Sequence, residues 1–464
     1  MSMSVDGLVS GMDTTALITQ LLQAEAGPQL ALKKRWSESQ TSASAYRTVN
    51  TTFAAVRAAA EGLQNPDLWS TARGSSTSSS VAVSVGTKPP TGSLTFTVQK
   101  IAAAHGVVNT NSAWSSATSP YGASSVQVFD ANGVSKGTIT VDGSGTLADA
   151  AAAINANTTM KLSAAVVQVR GGATPQFALQ VTSKVTGADS KFSLTGTGTF
   201  GTTSEAADAE LKIGDAGASG AYSVYSATNT FDSVMPGATL TVSKADTTTP
   251  VTVTVAADPD AVASKVQSLV DAVNAAANTV RTYTNNSKGS TAALRGDFTV
   301  GQMVGQLLDA VSSAIGSDGS PAKVGFSLTK DGKSVNFDKA KFLTALQDTP
   351  ELAKRMVGGT AAGVGVDGIA NTADDAKATG IAGLLLGVSK TASDSTTGSL
   401  VKLAEGQDSL GNDIQDKINA WDLRLVSRKE MLTRQFSAME TALSSLKNQS
   451  TWLAGQISSL PKSS

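Results

Sequence analysis

INAWDLRLVSRKEMLTRQFSAMETALSSLKNQSTWLAGQISSL, residues Ile418–Leu460, is the stretch whose reading decides the fold. Its apolar positions fall at Ile418, Trp421, Leu425, Leu432, Phe436, Met439, Leu443, Leu446, Leu453, Ile457 and Leu460, with polar Arg428 and Ser450 standing in the same row. The steps alternate between three and four, with one extra step of four between Leu432 and Phe436. Such spacing keeps one stripe of a helix turned toward a neighbour, so the segment reads as a coiled-coil helix with a single stutter. Near the other end, Leu32, Trp36, Ala43, Tyr46, Phe53, Ala60 and Leu63 keep a similar beat. Two striped helices at opposite ends of one chain either meet each other or are offered to other subunits. The pattern therefore points to assembly before any chemistry is considered.

Composition points the same way by what it lacks. The 464 residues contain no cysteine and one histidine, His105. These two residue types supply most nucleophiles, proton shuttles and soft-metal ligands, so the common catalytic constellations cannot be built. His105 stands in the short apolar run Ala102 to Gly106 and reads as a structural or surface residue. The formal net charge is −1, which gives no field favouring nucleic acid or an anionic membrane surface. Absence of thiols leaves the redox compartment unread and suits a protein exported unfolded. Met1 to Ser10 lacks a basic region followed by an apolar core, so no Sec-type signal peptide is expected. No apolar run approaches the roughly 18 residues that span a bilayer, and Ile381 to Gly387 falls far short.

The candidate constellations are weak. Asp258/Asp260 and Asp374/Asp375 are carboxylate pairs of the kind that solvated faces carry by chance. The loop from Gly365 to Asp375 has oxygen ligands, but not the Asp-x-Asp-x-Asp-Gly spacing or distal Glu of a calcium loop. Gly122, Gly143 and Gly145 do not have nucleotide-binding spacing. Lys33-Lys34-Arg35 reads as a solvated helix face. No catalytic residue, metal or cofactor is expected, and neither nucleic acid nor a membrane is an expected partner.

Along the chain, Asp13 reads as the cap of a first helix carrying Leu17, Ile18, Leu21 and Leu22, which Gly27-Pro28 ends. Pro28 suits the first turn of a second helix, closed near Leu63 by Asn65-Pro66. From Thr71 to about Val255 the texture is β: apolar residues alternate at Val81, Val83 and Val85, at Leu94, Phe96 and Val98, and again around residues 126–129, 138–141, 166–169, 177–181, 239–242 and 251–255. One short helix, Leu147 to Asn157, interrupts them. Helix returns at Asp258-Pro259, with further helices expected over 300–315, 338–346 and 351–357, and a Gly- and Asp-containing loop over 358–380. The expected class is α+β and multidomain: a helical coiled-coil stalk from both termini with β-rich head domains inserted.

Specific residues then carry a resemblance. Ser4 to Thr15 (SVDGLVSGMDTT) and Ile18 to Pro28 (ITQLLQAEAGP) resemble the opening of the flagellar filament cap family, hook-associated protein 2. Further similar segments follow in family order: Gly92 to Ala102 (GSLTFTVQKIA), the helix with Ala153-Ile154-Asn155, Ala227 to Asn229, Val234 to Thr241 (VMPGATLT), Leu294 to Asp297 (LRGD), Val324-Gly325 and Asp331-Gly332-Lys333. The loop over 358–380 is a departure, longer and more acidic than the family usually carries.

The resemblance implies a non-enzymatic, secreted cap at the distal tip of the bacterial flagellar filament. Such a cap promotes flagellin polymerisation and prevents flagellin loss during elongation. It implies a homo-oligomeric ring, a pentamer, with flagellin, the hook–filament junction proteins and a flagellar export chaperone as further partners. A hook–filament junction protein and a coiled-coil surface adhesin are the alternative readings, and adhesion by the head is a conceivable added role. With the resemblance the chain divides into N-terminal stalk helices (1–70), head domain 1 in two parts (71–105 and 206–257), a β-rich head domain 2 (106–205), a helical stalk domain (258–400) and C-terminal coiled-coil helices (401–464). Subunit or filament contact is expected at Leu8, Met12, Ile18, Leu21, Leu22, Leu425, Leu432, Phe436, Leu443 and Leu453.

Overall fold

Punctuation in the sequence sets the helix boundaries. Asp13 accepts a hydrogen bond from the Ala16 amide (2.8 Å), satisfying one orphan donor at the start of α1 (Thr14–Glu25). Pro28 sits in the first turn of α2 (Gly27–Gln64), where a missing N–H costs nothing, and Asn65 before Pro66 ends it. The computed structural model describes residues 11–86, 88–110, 114–141, 145–214, 218–313, 315, 318–359 and 380–458.

Strands follow the opening helices: β1 (Ala72–Ser76), β2 (Val81–Val85), β3 (Gly92–Lys100), β4 (Gly106–Thr110), β5 (Ser125–Asp130) and β6 (Ser135–Thr140). Helix α3 (Leu147–Ala156) precedes β7 (Leu162–Arg170), β8 (Gln176–Ser183), β9 (Phe192–Thr195) and β10 (Phe200–Ser204). The strand series ends with β11 (Ala209–Ile213), β12 (Tyr222–Ser226), β13 (Thr230–Met235), β14 (Ala238–Val242) and β15 (Asp246–Ala257). Helices return as α4 (Pro259–Thr284) and α5 (Phe298–Ser312), followed by the hairpin β16 (Phe326–Leu328) and β17 (Val335–Phe337). The chain closes with α6 (Lys339–Asp348), α7 (Pro350–Val357), α8 (Gly380–Ser393) and the long α9 (Ser399–Ser458). The class is the expected one, α+β, with helices from both ends and a β-rich middle. The described residues form two compact units, one from Met1–Asn65 with Ala263–Ser464, the other Pro66–Val262.

In the helical unit, α2 packs on both α8 and α9. Its face of Val49, Phe53, Val56, Ala60 and Leu63 is completely buried, as are Ile381 and Leu385 of α8 and Leu400 of α9. The Tyr46 hydroxyl donates to Asp297 Oδ2 (2.7 Å), tying α2 to the residue whose other oxygen caps α5. Burial, and then the neighbouring Asp297 carboxylate, push that phenol far above its ordinary range. Asn274 of α4 brackets β17, donating to the Val335 carbonyl and accepting from its amide.

The β unit has two apolar cores. One lies with the sheets β1-β15-β3-β11-β12 and β13-β14-β2 and contains Phe96, Val98, Leu211, Leu240 and Val253. The other lies with the sheets β10-β4-β8-β7 and β6-β5-β9 and helix α3, and contains Trp114, Tyr121, Val126, Leu147, Ile154 and Leu179. A capping box starts α3: Thr146 and Asp149 each bond the other's backbone amide. Pro236 and Gly237 form the two-residue turn between β13 and β14, and Gly237 has φ +71°, the left-handed conformation that a type II turn demands at that position. The chain crosses between the two lobes twice, after β3 and before β11. Reciprocal hydrogen bonds between Ala103 and Ala207 pin the crossovers together (2.9 and 3.2 Å).

Several strands lie where the alternation of apolar residues gave no warning. β1 runs through the Gly- and Ser-containing stretch after Thr71, and β9, β10, β12 and β13 are short and contain Thr or Ser. The hairpin β16–β17 also went unforeseen, with strands too short to show a period. β15 is longer than its valine run because it continues through Pro250, which has no N–H, and its register against β3 shifts there. His105 is buried, only 2 % exposed.

Candidate functional site

The two helices that carry the expected contact residues, α1 and α9, run antiparallel as a continuation of the α2–α9 pair. Ser39 meets Gln407, Gln29 donates to Asp422, and Glu25 meets Arg428. The inner part of this pairing is close. Ser39, itself buried, donates through Oγ to the backbone carbonyl of Gln407 (2.6 Å). A Cβ at Gly411 would come within 2.8 Å of Gln40 Nε2, the mobile end of that side chain. Arg47 pairs with Asp408 beside it.

The outer part is looser. Ile18 and Leu432 are buried, while Leu22, Leu425, Phe436 and Leu443 are half-buried. Met12 and Leu21 are exposed, and Leu453 is 55 % exposed. Leu8 lies outside the described residues. Ile18 and Phe436 face one open groove of about 470 Å³ between α1 and α9, together with Thr14, Thr15, Lys429 and Thr433. Leu425 lines a second hollow with Glu25, Trp421, Arg424, Arg428 and Met431. The structure therefore brings Ile18 and Phe436 together and leaves Met12, Leu21 and Leu453 apart from them.

Past Ser444 every described side chain of α9 is exposed, Leu446, Trp452, Leu453 and Ile457 by 55 to 66 %. Monomeric surfaces rarely keep aromatic and aliphatic groups in a row on one helix without an interaction to use them. Two features escaped the sequence reading. Arg428, a polar break in the stripe, reaches across to Glu25 (2.9 Å), and its position in the heptad row was the available signal. Trp452 lies outside the stripe and had none.

Among the described residues no group of three or more His, Asp or Glu side chains could hold a metal ion. Asp258 caps α4 by accepting from the Ala261 amide (3.0 Å), and Lys33, Lys34 and Arg35 are solvent-exposed. Asp367, Asp374 and Asp375 lie outside the described residues. No described helix is long and apolar enough to cross a membrane.

Two family models match the chain: flagellar hook-associated protein 2 N-terminus over residues 10–105, and flagellar hook-associated protein 2 C-terminus over residues 206–448. The chain belongs to the flagellar hook-associated protein 2 family. It is a family of structural flagellar cap proteins. The segment between the two matches carries the second β core of this hook-associated protein 2 member. Among solved structures, the D1–D2–D3 domains of the flagellar cap protein FliD from Escherichia coli share its fold, with a TM-score of 0.55 at 21 % identity over 78 % of this chain and 99 % of that one. FliD (HAP2) from Pseudomonas aeruginosa matches over 42 % of this chain and 92 % of its own, at 18 % identity and a TM-score of 0.34. The D2–D3 domains of FliD from Serratia marcescens match over 37 % and 97 %, at 19 % identity and a TM-score of 0.32. No curated protein matches the sequence.

Proposed function

We propose that this chain is a subunit of a non-enzymatic cap at the distal tip of the bacterial flagellar filament, outside the cell, where it promotes flagellin polymerisation and prevents flagellin loss. The carrying observation is the end of α9, whose apolar residues Leu446, Leu453 and Ile457 continue the heptad row into solvent. An amphipathic helix presenting such a row is suited to a groove on another protein. In this reading the occupants are neighbouring subunits, five to a ring, and the flagellin or junction protein at the filament end. An export chaperone holds the same stripe before secretion. The two apolar cores of the β unit support a head made of domain 1 (71–105 and 206–257) with domain 2 (106–205) inserted. Of the expected contact residues, Ile18, Leu22, Leu425, Leu432, Phe436 and Leu443 serve the α1–α9 pairing, while Met12, Leu21 and Leu453 are exposed to partners.

The test is a variant with Leu446→Ser, Leu453→Ser and Ile457→Ser together. Its circular dichroism and thermal melt are expected to match the unchanged protein, because these side chains are already in water. Negative-stain images are expected to lose any closed plate, and the variant to leave filaments unextended in cells lacking their own copy. Normal filament growth by this variant would remove the reading.

A further inference from the structure

We propose that His105 is an acid-sensitive latch between the two lobes of the β unit: uptake of a proton by its ring releases the connection over residues 183–192 and loosens the crossover that joins the lobes. His105 stands on the outgoing crossover, immediately before β4, and every polar group of the residue except one is committed to that connection. Its amide donates to Ser190 Oγ (3.3 Å), its carbonyl accepts from the Ser183 amide (2.8 Å), and ring Nδ1 accepts from the Phe192 amide (3.3 Å). The ring stands edge-on to Phe192, with centroids 4.9 Å apart at 88°.

An acceptor Nδ1 fixes the tautomer, so the proton of the neutral ring is on Nε2. That nitrogen is buried and finds no partner among the described residues. A second proton has one place to go, Nδ1, and there it would face the Phe192 N–H, donor against donor. The native arrangement thus excludes the imidazolium. Two charged groups act on the ring: Glu205, on the returning crossover, favours the cation and Lys191 opposes it. They pair with each other at 3.6 Å, which cancels much of both effects. Burial dominates and holds the imidazole below its ordinary 6.5.

The connection that would be released adds ties between the lobes to the two crossovers and their Ala103–Ala207 pairing. Gly187 donates to the Ala103 carbonyl (3.2 Å), the Ala188 amide donates to Asp208 Oδ1 (2.7 Å), and Thr186 Oγ1 donates to the Ala227 carbonyl (2.7 Å). The sign follows from linkage. A group whose native pKa lies below its unfolded value binds protons better once released, so the closed state is fully favoured above pH 6.5 and loses ground as pH falls below it. At a pH under both values the open state gains by the ratio of the two proton affinities.

The chain's single histidine makes the test direct. With ¹⁵N/¹³C-histidine in the full chain, ring chemical shifts report tautomer and titration without assignment. The Nε2–H tautomer at pH 7.5 and a midpoint below 6.5 are expected. A midpoint at or above 6.5, or an Nδ1–H tautomer, overturns the proposal. Amide hydrogen exchange of the unchanged protein at pH 7.5 and 4.5, scaled for intrinsic rate, is expected to show the 183–192 peptide losing protection at the lower pH relative to β3. His105→Asn places Oδ1 where Nδ1 stood, so it keeps an acceptor for the Phe192 amide and cannot titrate, and its 183–192 peptide should not respond to pH. An equal response in H105N sinks the latch, and so does an unchanged 183–192 peptide in the unaltered protein. If H105N fails to fold, the midpoint and the exchange of the unaltered chain decide alone.

Discussion

The first half of α9 and its last turns carry the same spacing of apolar residues and end in opposite environments. Leu400, Ala404, Ile414 and Ile418 are buried in the helical unit, whereas Leu446, Leu453 and Ile457 stand in water. Spacing determines that a helix has a stripe, and the neighbour determines whether the stripe is used. Alanines 43, 45 and 60 of α2 are buried where that helix packs within the unit, on α9 and on α8. The outer pairing has threonines at 14, 15, 19, 433 and 441 around Ile18 and Phe436, and keeps an open groove. Close packing makes the inner half a core, and an unfilled groove makes the outer half a surface.

The sharpest way to break this contrast is Phe53→Ala. The side chain is fully buried, so the helical unit should lose about 3–5 kcal/mol in urea unfolding followed by helical circular dichroism. A loss under about 1 kcal/mol would mean that the inner half is no better packed than the outer. Phe436→Ala, half-buried at the groove, should cost less, about 1–2 kcal/mol by the same measurement. Equal costs at the two positions would erase the distinction. A double-mutant cycle on Glu25 and Arg428 should give about 0–1 kcal/mol and shrink in high salt, because both groups are partly exposed. A larger, salt-resistant coupling would show the outer pair to be drier than its groove suggests.

The smallest effect concerns the turn between α8 and α9. There the Thr397 and Thr396 amides and the Thr397 hydroxyl all donate to Asp394 Oδ1, holding its carboxyl down to about 2 from an ordinary 3.8. The contribution of this group is complete above pH 3.8 and is lost as pH falls toward 2. Thermal melts between pH 5 and 2 should therefore show a slightly shallower acid decline for Asp394→Asn than for the unchanged chain. Parallel declines would mean that the turn does not depend on the charge.

Helices were legible because their ends are chemically marked: Asp13, Pro28, Thr146, Asp297 and Asp338 each stand at a start that the structure places within a few residues of expectation. Strands were legible where valines alternate, as in β2 and β15. They were not in Phe200–Ser204, where one large residue and four small ones give no period to read. Pairing supplied by β4 makes that stretch a strand, and such information is not local. At the contact site the stripe residues could be named, but their division into covered and uncovered could not, because it depends on how far α1 reaches along α9. Trp36, in the expected stripe, is partly exposed for the same kind of reason, and Arg428 proved to be a contact where the pattern showed a gap.

The Ser39 hydroxyl, bonded to both the carbonyl and the side chain of Gln407, has a mechanical meaning. Apolar stripes alone allow two helices to creep past each other one turn at a time, since each turn presents nearly the same oily face. A buried hydroxyl bonded to one particular side chain as well as to a carbonyl resists that creep, because a slip of one turn gives up the Gln407 side-chain oxygen. A pull along α9 is therefore passed to α2 as shear at this point instead of being lost in sliding. The Gln29–Asp422 bond, farther out along the same pair, takes up such a pull first, and Ser39 backs it nearer the core.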